Sequence, residues 1–488
     1  MNYIPTIGLE IHAELLTQTK MFCSCLNDPT EITPNKNVCP ICMGHPGTLP
    51  VPNKKVIEYV IRTGLALNCD INKHSKFDRK NYFYPDLPKA YQISQYDLPF
   101  CKDGYMVLPQ SGKKIRIRRI HLEEDTAKLQ HGGPSTSSGQ PASLVDFNRA
   151  GVPLMELVTE PDFHSADEVV EFAQEFQLIL RYLGVSDGDM EKGHLRLEAN
   201  ISVAPADAKE LGTKVEIKNI NSFRFMKAGI EYEIARHTKL YEEGKEEKVV
   251  QETRGWNEQK QETFSQRSKE EAHDYRYFPE PDIPPFDFAD DYIEELRNSI
   301  AELPQQRRER YASEYNLSEK QTDALVQDPA YADFFEEAIS ELRELVPNAP
   351  VDLVYNYLMS DIRGIEVQKA VSLQHMPLKP VHLAFITAQI LQDKISSRTA
   401  KDVLLKVYKT GDDPDSIIRQ EGLGQISDLS ELEKIVADVC AANPSVVEEY
   451  KSGKTAVLQF LVGKVMAQTK GRANPAQVKT LLEKFEQG

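Results

Sequence analysis

The sequence lacks the features that would place it in a membrane or an export pathway. No stretch approaches the roughly 18 consecutive apolar residues of a membrane-spanning helix. The N-terminal segment MNYIPTIGLE shows neither the apolar core of a signal peptide nor an Arg-rich transit pattern. We therefore expect a cytoplasmic protein with no membrane association.

Motifs of several common enzyme classes are also absent. The chain contains no H-E-x-x-H, no G-x-S-x-G and no G-x-G-x-x-G sequence. These absences argue against a zinc protease, a serine hydrolase and a dinucleotide-binding oxidoreductase of the usual types.

Basic residues are outnumbered by acidic ones: the chain has 58 Lys and Arg residues against 75 Asp and Glu residues, and its net charge is −17. This balance argues against a protein that coats nucleic acid. The exception is the C-terminal stretch from Tyr450 onward, which has seven Lys or Arg and two acidic residues. The seven cysteines are an odd number without a secretion signal, which favours a reducing compartment over a disulfide framework.

A chain of 488 residues with 40% hydrophobic content predicts two to four globular domains. Up to about residue 290, patterns typical of strands alternate with turns, which predicts an α+β fold with a mainly antiparallel sheet. One helix is clear, since Ser165 and Glu168 form a capping-box pattern and Gly184 ends the apolar period. Strands are predicted at 6–15, 115–122, 195–203 and 214–220.

The proline-rich stretch PEPDIPPF (279–286) is the best candidate for a domain boundary. Proline at this density excludes a helix or a central strand. Beyond it the apolar spacing is helical almost throughout, so an all-α region is predicted.

Four cysteines form two tight pairs, Cys23-Ser-Cys25 and Cys39-Pro-Ile-Cys42, separated by 13 residues. Four thiolates from two such knuckles are the usual ligands of tetrahedral Zn²⁺. The alternative, four merely buried thiols, would be an unusual coincidence. We predict a closed, structural zinc site.

The stretch FDRKNYFYPDLPKAYQISQ (77–95) interleaves cations with aromatic residues. Such a pattern can hold phosphates and stack a base or a terminal ribose. An ordinary Tyr-rich pair of strands explains the composition equally well, and both readings stay open at this point. The residues concerned are Arg79, Lys80, Tyr82, Phe83, Tyr84, Lys89 and Tyr91.

Acidic and histidine residues lie on the polar side of several predicted strands. In IGLEIHAEL (7–15) strict alternation puts Glu10, His12 and Glu14 on one face. A single face of this kind is usually solvated. Carboxylates gathered from several strands repel one another unless a hard cation joins them, so a shared Mg²⁺ site is the alternative. The other strands offer His121, Glu123, Glu124, Asp125, Glu156, Arg196, Glu198, Asn200 and Glu216.

Eight stretches of the chain, in order and spanning residues 7–475, resemble the B subunit of the glutamyl/aspartyl-tRNA amidotransferases. They are IGLEIHAEL, SKFDRKNYFYPDLPKAYQISQYD, HLEEDTAK, SLVDFNRAGVPLMELVTEPD, GVSDGDMEKGHLRLEANIS, EIKNINSF, SKEEAHDYRYFPEPDIPP and KGRANP.

The resemblance implies a ligase that uses ATP and Mg²⁺ to phosphorylate the side-chain carboxylate of Glu or Asp on mischarged tRNA(Gln) or tRNA(Asn). Ammonia supplied by a glutaminase A subunit then displaces phosphate, and a small C subunit joins the two proteins. The implied architecture is a catalytic cradle domain with the zinc knuckle (1–290), a helical domain (291–406) and a helical tail domain that contacts tRNA (407–488).

The resemblance also implies roles for individual residues. Catalytic residues and Mg²⁺ ligands are expected at Glu10, His12, Glu124 and Glu156, with Glu198 as a further Mg²⁺ ligand where many members have Asp. ATP and the aminoacyl end are expected to contact Arg79, Lys80, Tyr82, Lys89 and Lys218. Structural Zn²⁺ is expected at Cys23, Cys25, Cys39 and Cys42, which only some members have.

Alternation along RIHLEED conflicts with one of these assignments. It places Glu123 with His121, whereas Glu124 falls on the side of Ile120 and Leu122. Choosing Glu124 assumes that the strand bends or ends there. Glu14 gains no role and is expected to be solvated.

Two other functions fit parts of the pattern. A free-standing ligase or kinase for a small carboxylate could use a similar acidic sheet, but the basic helical tail would then be superfluous. A tRNA-holding scaffold could leave the chemistry to a partner. ATP hydrolysis that depends on mischarged tRNA, and that is lost with Glu124→Gln, would distinguish the implied enzyme from such a scaffold.

Overall fold

The computed structural model describes residues 2–133, 142–268, 275–425, 429–452, 454–469 and 471–486. The chain divides into two compact units, Met1–Arg307 and Arg308–Gly488. The predicted domain bounds at 290/291 and 406/407 stay a prediction. None of the helices in the described ranges is long and apolar enough to cross a membrane.

The first unit has an α+β architecture, as predicted. Its strands are β1 (Tyr3–Glu14), β2 (Asp70–Ile71), β3 (His74–Ser75), β4 (Asp78–Asn81), β5 (Tyr91–Ser94), β6 (Cys101–Val107), β7 (Lys114–Glu124), β8 (Lys128–Gly133), β9 (Ala142–Asp146), β10 (Pro153–Thr159), β11 (Leu195–Pro205), β12 (Val215–Ile220), β13 (Glu252–Asn257), β14 (Glu262–Ser268), β15 (Phe278–Pro279) and β16 (Phe286–Asp287). Its helices are α1 (Lys54–Ala66), α2 (Ala166–Leu183), α3 (Phe223–Glu242) and α4 (Asp290–Asn298), with the unit boundary falling inside α5 (Pro304–Glu314).

Nine of the described strands form the main sheet, in the order β14-β13-β12-β11-β1-β10-β7-β6-β2. Neighbours are antiparallel except β12 and β13, which run parallel. Small sheets carry the remaining strands: a three-stranded sheet in the order β15-β4-β5, and the pairs β16-β3 and β8-β9. The proline-rich stretch therefore contributes only two-residue edge strands, as expected for residues that lack a backbone N–H.

The main sheet buries one face under helices. Ile7, Leu9 and Ile11 of β1 are fully buried in the core that also contains Phe172 and Phe176 of α2. The intervening residues of β1 lie on the opposite, polar face, so the alternation in IGLEIHAEL correctly predicts a two-faced strand. The sheet thus presents its polar face as a separate surface.

Local signals explain the ends of α2. The Ser165 side chain accepts from the Glu168 N–H, and Gly184 adopts a left-handed conformation with φ 64° at the C-terminus. The return half of the predicted capping box differs, because the Glu168 carboxylate accepts from the N–H of His164 at 2.7 Å instead of that of Ser165.

All regular secondary structure among the described residues of the second unit is helical. The unit contains α6 (Glu319–Val326), α7 (Pro329–Leu345), α8 (Asp352–Asn356), a π-helical turn (Tyr357–Ile362), α9 (Arg363–Lys369), α10 (Pro380–Leu391), α11 (Ser397–Thr410), α12 (Pro414–Gln420), α13 (Leu429–Ala442), α14 (Pro444–Lys451), α15 (Leu458–Gln468) and α16 (Pro475–Glu486). A separate core near the C-terminus packs α13, α15 and α16 around Leu432, Leu461, Val465 and Val478.

Candidate active site

Strand register gathers acidic and imidazole side chains on the polar face of the main sheet. Glu10 of β1 lies directly opposite Glu198 of β11, and His12 lies opposite Glu156 of β10. Glu156 in turn lies opposite His121 of β7. Side chains opposite each other on one face are close neighbours, so four strands deliver their polar groups to one place.

Distances confirm that these groups form one cluster. His12 Nε2 lies 3.4 Å from Glu156 Oε2, 3.6 Å from Glu123 Oε1 and 3.7 Å from Glu10 Oε1. His121 Nε2 lies 3.3 Å from the same Glu156 oxygen. We call Glu10, His12, His121, Glu123, Glu156 and Glu198 the acidic cluster.

Three cations border the acidic cluster. Lys218 Nζ lies 2.6 Å from Glu198 Oε2, while Lys80 Nζ lies 3.9 Å from Glu123 Oε2 and Arg119 Nη2 lies 3.9 Å from Glu156 Oε1. The two longer separations are ion pairs without a hydrogen bond. Basic groups held at the rim of a buried carboxylate cluster are well placed to attract a polyphosphate.

The cluster strongly perturbs the protonation of its members. Burial, with the carboxylates of Glu156 and Glu198, raises the pKa of Glu10 to about 7. Burial alone would lower the pKa of His12, but Glu156, Glu123 and Glu198 outweigh it and raise that pKa to about 9. Burial opposes ionisation of Glu156, yet His121 and His12 hold its pKa well below the usual range.

The donor set fits a divalent cation. The ligand atoms of Glu10, His12 and Glu156 lie within 4.8 Å of one another, and so do those of His121, Glu123 and Glu156. Glu123 Oε2 is buried without a hydrogen-bond partner in the described part of the chain, so a ligand there would satisfy it. Carboxylate oxygens suit Mg²⁺ or Mn²⁺, and imidazole nitrogen broadens the choice toward other transition metals.

Glu124 lies apart from the acidic cluster. Strand pairing continues in register through Glu124 and Pro153, so β7 neither bends nor ends before that residue. The Glu124 carboxylate instead pairs with Lys89 Nζ at 2.7 Å and accepts from the Ile93 N–H at 3.0 Å. The assumption that the strand bends or ends at Glu124 is therefore wrong: alternation holds to the end of β7, and the structure places Glu123, not Glu124, beside His12.

The residues expected to contact ATP or the aminoacyl end have different surroundings. Lys80 and Lys218 border the acidic cluster, whereas Lys89 is paired with Glu124. The Tyr82 ring packs edge-on against Tyr275, 5.9 Å between centroids. The Arg79 guanidinium binds Glu280 and Asp282.

Sequence reasoning missed Arg119 and Tyr275 as neighbours of the cluster. Alternation along β7 could have found Arg119, which shares a face with His121 and Glu123. Tyr275, whose ring lies 5.1 Å from Lys80 Nζ, arrives from a segment almost two hundred residues away, and no local pattern identifies it.

A second charged group adjoins the cluster on the same face and corrects the expectation for Glu14. Arg196 Nη2 donates to Glu14 Oε1 at 2.8 Å and also binds Asp125. The Glu14 side chain is 15% exposed and is ion-paired, so it is not a solvated residue. Burial and the neighbouring Asp125 raise the pKa of Glu14 to about 7.

The four cysteines predicted to bind zinc come together. The sulfur atoms of Cys23, Cys25, Cys39 and Cys42 lie within 4.8 Å of one another, and the Cys39 and Cys42 sulfurs are 3.9 Å apart. Tetrahedral Zn²⁺ with bonds of about 2.3 Å requires sulfur separations of just under about 4 Å. The donor set therefore fits zinc.

The first unit thus has a mainly antiparallel sheet whose polar face carries a buried carboxylate and imidazole cluster bordered by lysines, an arrangement that could hold a divalent cation. Comparison with known proteins gives the family. Residues 5–294 match the model described as the GatB/GatE catalytic domain, and residues 333–485 match that of the GatB domain. The chain belongs to the GatB family of amidotransferase proteins.

Full-length relatives agree with this assignment. The chain is similar to the B subunit of the aspartyl/glutamyl-tRNA(Asn/Gln) amidotransferase of Thermodesulfovibrio yellowstonii, with 47% identity over 99% of both chains. The proteins of the same name from Thermoanaerobacter pseudethanolicus and Dehalococcoides mccartyi are each 48% identical, over 99% and 100% of both chains.

Proposed function

We propose that this chain is the kinase and transamidase subunit of a tRNA-dependent amidotransferase. It converts Glu-tRNA(Gln), Asp-tRNA(Asn) or both into Gln-tRNA(Gln) and Asn-tRNA(Asn), at the cost of ATP. The observation that carries the proposal is the acidic cluster with its lysine rim, in a chain that matches this family over nearly its whole length.

The chemistry needs two displacement steps. A side-chain carboxylate oxygen of the aminoacyl group attacks the γ-phosphorus of ATP, the bond to the β-γ bridging oxygen breaks, and ADP leaves. Ammonia then attacks the carbonyl carbon of the acyl phosphate, inorganic phosphate leaves, and the nitrogen loses a proton to solvent. Phosphoryl transfer depends mainly on positioning and charge neutralisation, so no nucleophilic side chain is required.

Individual side chains have distinct tasks in this proposal. Glu10, His12, Glu123, Glu156 and Glu198 would hold Mg²⁺, with Glu123 replacing Glu124 in the set implied by the resemblance. The chemistry supplied by a bound Mg²⁺ is neutralisation of phosphate charge during transfer.

The lysines at the rim complete the site. Lys80 and Lys218 present ammonium groups toward the phosphates. Burial alone would lower the pKa of Lys218, but Glu198 and Glu216 outweigh it and raise that pKa, so Lys218 stays charged at neutral pH.

Partners and the remaining ions follow from the same proposal. A glutaminase A subunit would release ammonia from glutamine, and a C subunit would join the two proteins. The tail domain (407–488), with its basic end, would contact tRNA, because clustered Lys and Arg bind phosphates. Zn²⁺ at the four cysteines would be structural, since no fifth ligand position is left open.

The test is amidation by the reconstituted complex with ATP, glutamine and each mischarged tRNA. Glu10→Gln and His12→Ala are expected to abolish amidation while the complex still assembles. Matched controls are Glu160→Gln and His164→Ala, which lie in contacts outside the acidic cluster. Normal amidation by Glu10→Gln or His12→Ala would refute the assignment.

Two outcomes would favour the competing functions. Equal activity on free glutamate, with or without residues 407–488, would favour a small-carboxylate ligase. ATP hydrolysis that does not depend on mischarged tRNA, or that survives Glu10→Gln, would favour a tRNA-holding scaffold.

A further inference from the structure

Arg79 makes a two-point ion pair with a residue 201 positions away in the sequence. Its Nε donates to Glu280 Oε2 at 2.7 Å, and its Nη2 donates to Glu280 Oε1 at 2.9 Å and to Asp282 Oδ2 at 3.2 Å. The Glu280 side chain is 0% exposed and that of Arg79 is 18% exposed. The guanidinium also stacks over the Tyr91 ring, 4.3 Å from its centroid.

These contacts hold one segment, YRYFPEPD (275–282), against strand β4. Backbone bonds join the segment at two further points, from the Asn81 N–H to the Tyr275 carbonyl and from the Glu280 N–H to the Phe77 carbonyl, both at 2.9 Å. The pairing of β15 with β4 covers only two residues. The Asn81 side-chain amide also donates to the Arg276 carbonyl at 2.9 Å. Removing one partner from a buried ion pair leaves an uncompensated charge, so loss of either Arg79 or Glu280 should weaken this attachment.

The segment in turn shapes the rim of the acidic cluster. The Tyr275 ring lies against Lys80 Nζ and packs edge-on against Tyr82, and Tyr277 stacks on Tyr96 with 4.3 Å between centroids. Lys80 Nζ lies 3.9 Å from Glu123 Oε2 of the acidic cluster. A change in the position of the segment would therefore move the aromatic wall beside this lysine.

The hydrogen bonds of Arg79 argue against it as a phosphate ligand. Its guanidinium already donates through Nε and Nη2 to Glu280, and Nη2 also donates to Asp282, so the two-point face that would bind a phosphate is occupied by a carboxylate. An incoming phosphate would have to compete with a bidentate carboxylate that is already desolvated.

We propose that Arg79 is a positioning residue, which clamps the YRYFPEPD segment through Glu280 so that Tyr275 holds Lys80 in place beside the acidic cluster. This inference deepens the proposed function and rests on it for the activity measurements. It replaces the expectation that Arg79 contacts ATP or the aminoacyl end directly.

The test compares Arg79→Lys, Glu280→Gln and the double variant in the reconstituted complex. Lysine keeps the charge but cannot form the two-point bond, so the clamp predicts a loss in both single variants. We expect kcat for tRNA-dependent ATP hydrolysis to fall at least tenfold in each, with KM for ATP changed less than threefold and no further loss in the double variant. Arg118→Lys and Glu160→Gln, which alter an exposed bidentate pair on the same sheet, should stay within twofold of wild type.

Hydrogen exchange of the full-length chain gives a readout that does not depend on activity. Amides of the segment should exchange at least tenfold faster in Arg79→Lys and Glu280→Gln than in wild type or in the Arg118 and Glu160 variants. A direct phosphate role predicts instead that Glu280→Gln keeps kcat, that Arg79→Lys changes mainly KM for ATP, and that exchange is unaltered; that result would overturn the clamp. If the wild-type complex shows no tRNA-dependent activity, the proposed function fails. The hydrogen-exchange comparison still tests the clamp in that case, because it does not depend on activity.

Discussion

Glu123→Gln should weaken divalent metal binding, whereas Glu124→Gln should not. The Glu123 side chain is 3% exposed, one of its oxygens lies 3.6 Å from His12 Nε2, and the other has no hydrogen-bond partner among the described residues. Even a carboxylate that only supports a metal ligand typically contributes a factor of about 10 to 100 in affinity, or about 1.4 to 2.7 kcal/mol. We expect a loss of at least that size for Glu123→Gln.

Glu124→Gln is a closely matched control, because it makes the same substitution at the next position of the same strand. Its carboxylate pairs with Lys89, so metal affinity should change less than about threefold. Titration of the full-length proteins with Mn²⁺, followed calorimetrically, measures both. A loss with Glu124→Gln and none with Glu123→Gln would refute the placement of the site.

Three further results are expected. Cys42→Ser should remove bound zinc, measured as metal content per chain, and lower the melting temperature, whereas Cys440→Ser, in the second unit, should retain the metal. Glu233→Ala should lower the free energy of unfolding by about 3–5 kcal/mol in denaturant titrations, because Glu233 is fully buried between two arginines. Glu262→Ala, which removes an exposed ion pair with Lys260, should lower it by about 1 kcal/mol or less. Deleting 407–488 should weaken tRNA binding and flatten its salt dependence, and unchanged affinity would remove the tail from the tRNA interface.

Period-two alternation is the most reliable guide to the first unit. It predicts the two faces of β1 and, followed strictly along β7, puts Glu123 on the same face as His121; the structure then shows that this face meets His12. The error at Glu124 arises from setting that alternation aside in favour of the family pattern. The four zinc-site cysteines are equally predictable, since their spacing alone brings two knuckles together.

Contacts made across long stretches of chain could not be predicted in the same way. Glu14 appears solvated from its own strand, yet Arg196 and Asp125 reach it from two other elements. The Arg79–Glu280 pair joins two residues that are 201 positions apart in the sequence. A pattern within one strand reports which face a side chain occupies, but not which charge meets it there.

The decisive measurement is formation of Gln-tRNA(Gln) or Asn-tRNA(Asn) by the purified complex from the mischarged tRNA, glutamine and ATP, with the wild-type chain and with Glu10→Gln. We expect ATP-dependent amidation of at least one of the two tRNAs by wild type and none by the variant. Amidation that proceeds equally well with Glu10→Gln, or without ATP, would contradict the assignment of the acidic cluster as the active site.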